Sequence, residues 1–219
     1  MLRSVTRKAR RTDRAAQALA GLADNGPLSA LLARFVRGRS AYLAPLSAAL
    51  GAGSMLVVSW ERGASWWLVL VAAAYVLFSA EALAHPLKGA LDWLVPPLFR
   101  AAEYGTVLIL AAKSEVNGAL PAAFGLVAAV AYHHYDTVYR IRGNAGAPPA
   151  WLVRAIGGQE GRTLLVTVLA ALLTASQFTV ALTVLAVYVA LVVLVESIRF
   201  WVAAHKGGAP AVHDEGETA

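Results

Sequence analysis

Six long apolar runs, separated by short segments that hold nearly all the charge, leave this chain very few ways to fold. A transmembrane helix needs roughly 20 mostly apolar residues to cross a hydrocarbon core of about 30 Å. The candidate spans are Ala41 to Trp60, Trp66 to Ala84, Trp93 to Ala112, Ala119 to Tyr132, Arg162 to Ala175 and Phe178 to Val195. Only 15% of residues are charged against 58% hydrophobic, which suits a membrane domain better than a water-soluble core. The expected fold is all-α and polytopic, with six transmembrane helices. Ser176-Gln177 is barely a turn, so the last two spans should form a tight hairpin.

Charge sets the expected orientation. With the N-terminus inside, the cytoplasmic side collects 17 of the 19 lysines and arginines, leaving only Arg62 and Lys113 outside. Both termini are then cytoplasmic, and Trp60, Trp66 and Trp67 sit at the outer edge as an aromatic belt. The net charge of +6 meets anionic lipid headgroups more economically than nucleic acid, so no nucleic-acid partner is expected. No cysteine is present, which excludes disulfides, thiol nucleophiles and thiolate metal sites.

Four regions follow. Residues 1–26 form a basic cytoplasmic segment, and residues 27–39 an amphipathic helix expected in the headgroup plane. That helix starts at Pro27, which suits a first turn, with Leu28, Leu31, Leu32 and Phe35 on one face. Residues 40–203 form the membrane domain, and residues 204–219 a tail of disordered composition. Gly51-Ala52-Gly53 would permit the close helix packing of a homodimer.

Ionisable residues at membrane depth are costly and usually face a cavity or a partner. Four clusters qualify, all towards the cytoplasmic half. Glu81 shares a helix face with His85, near Lys88 and Asp92. Arg100 and Glu103 are three apart and should pair with each other or with neighbours. His133, His134 and Asp136 lead into Arg140, with His133 and Asp136 able to share a face. Arg154 precedes Gly157-Gly158-Gln159-Glu160-Gly161-Arg162, where a helix start beside arginines makes an anion site. The phosphate-binding candidates are therefore Lys88, Arg100, Arg140, Arg154 and Arg162. The catalytic candidates are Asp92, Glu81 and His133, and the metal-ligand candidates Asp92, Glu81 and Asp136. No P-loop, GxSxG, HExxH or dinucleotide fingerprint is present.

The plan of six spans, a preceding amphipathic helix and polar residues where the second and third spans meet the cytoplasm resembles the CDP-alcohol phosphatidyltransferases. In that family four aspartates across the second and third helices hold divalent metal. Lys88-Gly89-Ala90-Leu91-Asp92-Trp93-Leu94 looks like the later part of that motif, with Asp92 as the third aspartate. Pro96 stands where the fourth aspartate belongs, and the second helix holds Glu81 as its only carboxylate. AAEYGTVLIL, AYHHYDTVYR and GGQEGR look more like a domain of unknown function from high-GC bacteria, encoded beside such transferases; this likeness covers roughly residues 15–203.

The resemblance implies a transferase-like fold without the full metal motif. Such a protein would bind an anionic lipid or nucleotide-linked headgroup, or partner an active transferase in phospholipid or cell-envelope lipid synthesis. Two alternatives carry other chemistry. One is an active enzyme with a remodelled Mg2+ site in which Glu81, Asp92, His133 and Asp136 converge. The other is a small lipid transporter or flippase.

Overall fold

A computed structural model describes residues 13–37 and 44–206, and all regular structure among them is helical. Residues 13–22 form α1. Then come α2 (Pro27–Val36), α3 (Ala44–Arg62), α4 (Trp66–Ala84), α5 (Val95–Lys113), α6 (Ala119–Arg142), α7 (Ala150–Ile156), α8 (Gly158–Leu172) and α9 (Ala175–Lys206). Each expected apolar run lies mostly in one helix, counting α3, α4, α5, α6, α8 and α9, although Trp93 precedes α5 and the run from Arg162 to Ala175 passes the end of α8. The start of the first run at Ala41, the basic residues Arg3 to Arg11 and the tail beyond Lys206 lie outside the described residues.

Local chemistry sets the helix ends. Pro27 opens α2, where its missing N–H costs nothing. The Ser65 hydroxyl caps α4 by accepting from the Leu68 N–H at 3.3 Å. Pro96 and Pro97 lie in the first turn of α5, which a 3-10 turn at Asp92–Leu94 leads into. A tight link joins α8 and α9, but it lies at Leu173-Thr174 and not at the expected Ser176-Gln177, which fall in the first turn of α9.

Three helices are long and apolar enough to cross a membrane, and they mark a membrane protein: Trp66–Ala84, Asp92–Lys113 and Ala175–Ala204. The others fall short for physical reasons. The 15 residues of α8 rise only about 22 Å. The last turns of α6 carry His133, His134, Asp136, Arg140 and Arg142, and α3 ends in Glu61-Arg62. Conversely α9 runs for 32 residues, about 48 Å, well past the expected end at Val195 and into the segment expected to be tail.

Small side chains let these helices approach closely. Ala48, Ala52, Ala72 and Ala123 are fully or almost fully buried. α3 packs on α4 and α5, and α6 runs along α9. Gly51 belongs to this internal packing: an added Cβ would come within 3.0 Å of Tyr75 and 3.1 Å of Phe78. That part of the Gly51-Ala52-Gly53 stretch therefore holds α4, not a second copy of the chain. α2 docks on the end of α4 through Ala33, packed with Ala80 and Ala84, leaving Leu28, Leu31 and Phe35 exposed.

Candidate functional site

The turn between α1 and α2 carries the key residue. Asp24 takes a left-handed backbone (φ +50°), which Asp tolerates better than most residues, and its side chain is buried. Around it α8 and α6 supply partners, and α5 holds those partners in place. Arg162 of α8 donates from Nη2 to Asp24 Oδ2 at 2.6 Å. The same guanidinium clamps Glu103 of α5, through Nε at 2.5 Å and Nη2 at 3.1 Å. His133 and His134 of α6 bring their Nε2 atoms to 3.3 and 3.4 Å from the two Asp24 oxygens. Tyr104 of α5 hydrogen-bonds His134 Nδ1 at 2.7 Å. Adjacent residues on a helix diverge in direction, yet both histidines meet Asp24 because it sits between their rings.

Burial would raise the Asp24 carboxyl. The Arg162 guanidinium, with the contacts from His133 and His134, outweighs that and holds it well below the usual carboxylate range. Asp24 is therefore an anion at neutral pH, tying the N-terminal hairpin to α6 and α8.

A second tie secures the same hairpin. Glu160 of α8 accepts from the Gly26 N–H at 2.9 Å, the Ser29 N–H at 3.1 Å and the Ser29 hydroxyl at 2.9 Å. These donors form the N-terminus of α2, so Glu160 fills that helix's own anion site. Glycine makes the contact feasible. Gly157 and Gly158 both have positive φ (+86° and +64°), and a Cβ on Gly158 would lie 2.3 Å from Gly26 Cα. At the start of α8, where an anion site was expected, the Gln159 N–H donates to the Asp24 carbonyl at 2.9 Å and Arg162 holds Asp24 and Glu103, so the chain's own groups take it up. Beneath it Gln159 donates to the Ser79 hydroxyl at 2.8 Å and accepts from the Tyr75 hydroxyl.

A cavity of about 630 Å³ opens beside the Asp24 turn, between α1, α2, α6 and α7. Pro27, Ala30, Leu31, Pro148 and Val153 supply apolar wall, and Arg34 and Arg154 supply positive charge. Asp24, Asn25 and His133 also line it. Two buried polar atoms of these residues, Asn25 Oδ1 and His133 Nδ1, have no hydrogen-bond partner. Buried polar atoms are rarely left so without a reason.

The remaining expected site residues are dispersed. Glu81 accepts from the Ser47 hydroxyl at 2.7 Å. Asp92 accepts from the Gly89 N–H at 2.7 Å, closing the turn before α5. Lys88 pairs with Asp13 at an exposed position, at 2.7 Å. Arg100 donates to the Leu22 carbonyl at 3.2 Å, so its expected partner Glu103 serves Arg162 instead. Asp136 and Arg140 pair with each other at 2.7 Å, away from His133, and Arg140 also holds Glu196 of α9. Among the described residues no group of three or more His, Asp or Glu could hold a metal ion, so Glu81, Asp92, His133 and Asp136 do not converge as a remodelled site would require. The physical reason is that each carboxylate already has a local donor.

Of the expected set, His133 and Arg162 meet at Asp24 and Arg154 lines the cavity. Sequence reasoning missed Asp24 and Asn25, and it placed His134 and Tyr104 in polar clusters without giving them a role. One signal was available: Asp13 and Asp24 are the only acidic residues among the first forty, in a segment otherwise full of arginine.

A family profile matches residues 13–219, covering nearly the whole chain. The chain belongs to DUF5941, a family of unknown function. The match begins at Asp13, so the Asp24 turn and every residue lining the cavity are inside the family's extent. No curated protein and no solved structure matches the chain.

Proposed function

We propose that this family member is a six-span membrane protein, with both termini cytoplasmic, that binds the anionic headgroup of a membrane lipid in the cavity beside Asp24. One observation carries the reading: apolar walls and two arginines share one cavity of about 630 Å³. Arginine suits phosphate oxygens in this setting, because its guanidinium stays charged and offers a planar fork of donors. The exposed apolar residues of α2 favour a lipid over a free phosphate ester. Leu31 lines the cavity and is also exposed alongside Leu28 and Phe35, so the wall continues outward as a path for an acyl chain.

The orientation rests on the distribution of lysine and arginine, in a bacterial inner membrane. The likeness to CDP-alcohol phosphatidyltransferases remains a likeness of plan, with the metal aspartates absent; headgroup binding or partnership with an active transferase in envelope lipid synthesis follows from it. Reconstitution into phosphatidylcholine nanodiscs tests the binding. Doping with phosphatidylglycerol or phosphatidic acid should give saturable binding, and the paired variant Arg34→Gln with Arg154→Gln should abolish it. Equal retention of phosphatidylcholine and anionic lipid would overturn the reading. So would Mg2+-dependent CMP release from CDP-diacylglycerol and an alcohol that Asp92→Asn abolishes, since that is the behaviour of a working transferase.

A further inference from the structure

The three spanning helices each meet the α7–α8 region through a residue at or beside their own midpoint. Tyr75 is the central residue of Trp66–Ala84, and its hydroxyl donates to the Gln159 side chain. Glu103 is one of the two central residues of Asp92–Lys113, and it holds Arg162. Tyr188 lies within two residues of the centre of Ala175–Ala204, and its hydroxyl donates to the Ala155 carbonyl at 3.0 Å. Helices that cross one bilayer share its middle. The junction between α7 and α8 therefore lies deep in the hydrocarbon core, about 10–15 Å from either face. The turn between α1 and α2 reaches the same depth, because the Asp24 carbonyl accepts from the Gln159 N–H at 2.9 Å.

At that depth α7 and α8 form one broken span, interrupted where Gly157 and Gly158 take positive φ. Irregular backbone inside a membrane is tolerated only where protein buries it or where it lines a water-filled cavity. The cavity beside Asp24 lies against this break, with Gly26 on one side and Val153 and Arg154 on the other. The Arg154 side chain is exposed, and a guanidinium turned to hydrocarbon is costly. We infer that the cavity is a water-filled vestibule, running from the cytoplasmic face towards the middle of the bilayer and ending against the α7–α8 break. A phosphate taken by Arg34 and Arg154 is then drawn below the headgroup plane; that consequence, unlike the vestibule itself, rests on the headgroup reading above.

Single cysteines in the full chain test the vestibule, since the chain has none of its own. Phosphatidylcholine nanodiscs leave both faces open to a charged, membrane-impermeant methanethiosulfonate. Arg154→Cys and Val153→Cys should react within about tenfold of the rate at Ala145→Cys in the exposed loop before α7. Leu191→Cys is exposed on α9, one turn beyond Tyr188 towards the cytoplasmic end. It should react at least about a hundredfold more slowly, because a thiol facing hydrocarbon is neither reached by the ion nor ionised. A short bifunctional thiol cross-linker should join Ala155→Cys to Tyr188→Cys, which fixes the level of α7 against α9. Fast reaction at Arg154→Cys beside slow reaction at Leu191→Cys, with that cross-link, supports the vestibule. Reaction at Arg154→Cys and Val153→Cys as slow as at Leu191→Cys overturns it. Fast reaction at Leu191→Cys also overturns it, by putting that level of α9 in water, and so does failure of the cross-link. Exchanging part of the phosphatidylcholine for phosphatidylglycerol should then slow Val153→Cys relative to Ala145→Cys. A reactive Val153→Cys that phosphatidylglycerol does not protect removes the headgroup reading and leaves the vestibule standing.

Discussion

Arg162 and Arg140 are both buried guanidiniums that hold two carboxylates, yet their surroundings differ. Arg140 uses Nε on Asp136 and both terminal nitrogens on Glu196, with the Phe200 ring 3.8 Å from its carbon centre. Asp136 in turn accepts from Ser197 at 3.1 Å and from the Trp201 indole at 2.8 Å. That network is closed, and it ties α6 to α9. Around Arg162, by contrast, Arg162 Nη1, His133 Nδ1 and Asn25 Oδ1 lack hydrogen-bond partners, and the His133 and Asn25 side chains line a cavity. A charge network whose donors and acceptors balance is a structural joint. One with groups left over beside a cavity has capacity for a ligand.

The sharpest way to break this comparison is to remove the two guanidiniums in turn. Arg162→Leu strands Asp24 and Glu103 in the interior and should cost about 3–5 kcal/mol, read as a large fall in the thermal midpoint in detergent. Arg140→Leu should cost less, because Ser197 and Trp201 still serve Asp136. Equal losses would mean that both networks are mere joints. Next in size, Gly158→Ala should destabilise by about 1–3 kcal/mol, since it demands a positive φ of a residue with a Cβ and drives that atom into Gly26. The same substitution at Gly53, which has nothing within 4 Å of an added Cβ, should be neutral or slightly stabilising.

Acid dependence distinguishes the networks further. The folded-state Asp24 carboxyl titrates below its unfolded value, so its contribution is complete above about pH 4 and fades as pH falls through the folded value. Asp24→Asn should lower stability at neutral pH and flatten the loss below about pH 4, measured as midpoint against pH. A parallel shift of the whole curve would contradict the assignment. The smallest effect on stability belongs to the cavity rim: Arg34→Gln with Arg154→Gln should leave the midpoint unchanged while removing anionic-lipid binding. Topology has an easy check, because the chain contains no cysteine. Single cysteines replacing Arg34 and Gly146 should label from the cytoplasmic side, and one replacing Glu115 from the outside.

Several features of the fold were readable directly. The apolar runs marked the six long helices and Pro27 marked the start of α2, while the tight turn between the last two was expected at Ser176-Gln177 and lies just before Ala175. The termini of helices were less legible. Nothing in the run ending at Val195 announced that α9 continues to Lys206, because a charged helix outside the apolar core has the composition of a linker. Site legibility was poorer still. His133, Arg154 and Arg162 stood out as polar residues near apolar segments, but so did Glu81, Asp92 and Asp136, which take local partners.

The sequence by itself determined the all-helical membrane architecture, since a backbone in hydrocarbon must satisfy its hydrogen bonds within each segment and apolar length alone reports this. It also determined the basic bias expected on the cytoplasmic side. Which charges meet was decided only by tertiary structure. Asp24 and Arg162 are 138 residues apart, and no spacing rule links them. They meet because Gly26 and Gly158 let two backbones approach and Glu160 grips the start of α2, which carries the Asp24 turn down between α6 and α8.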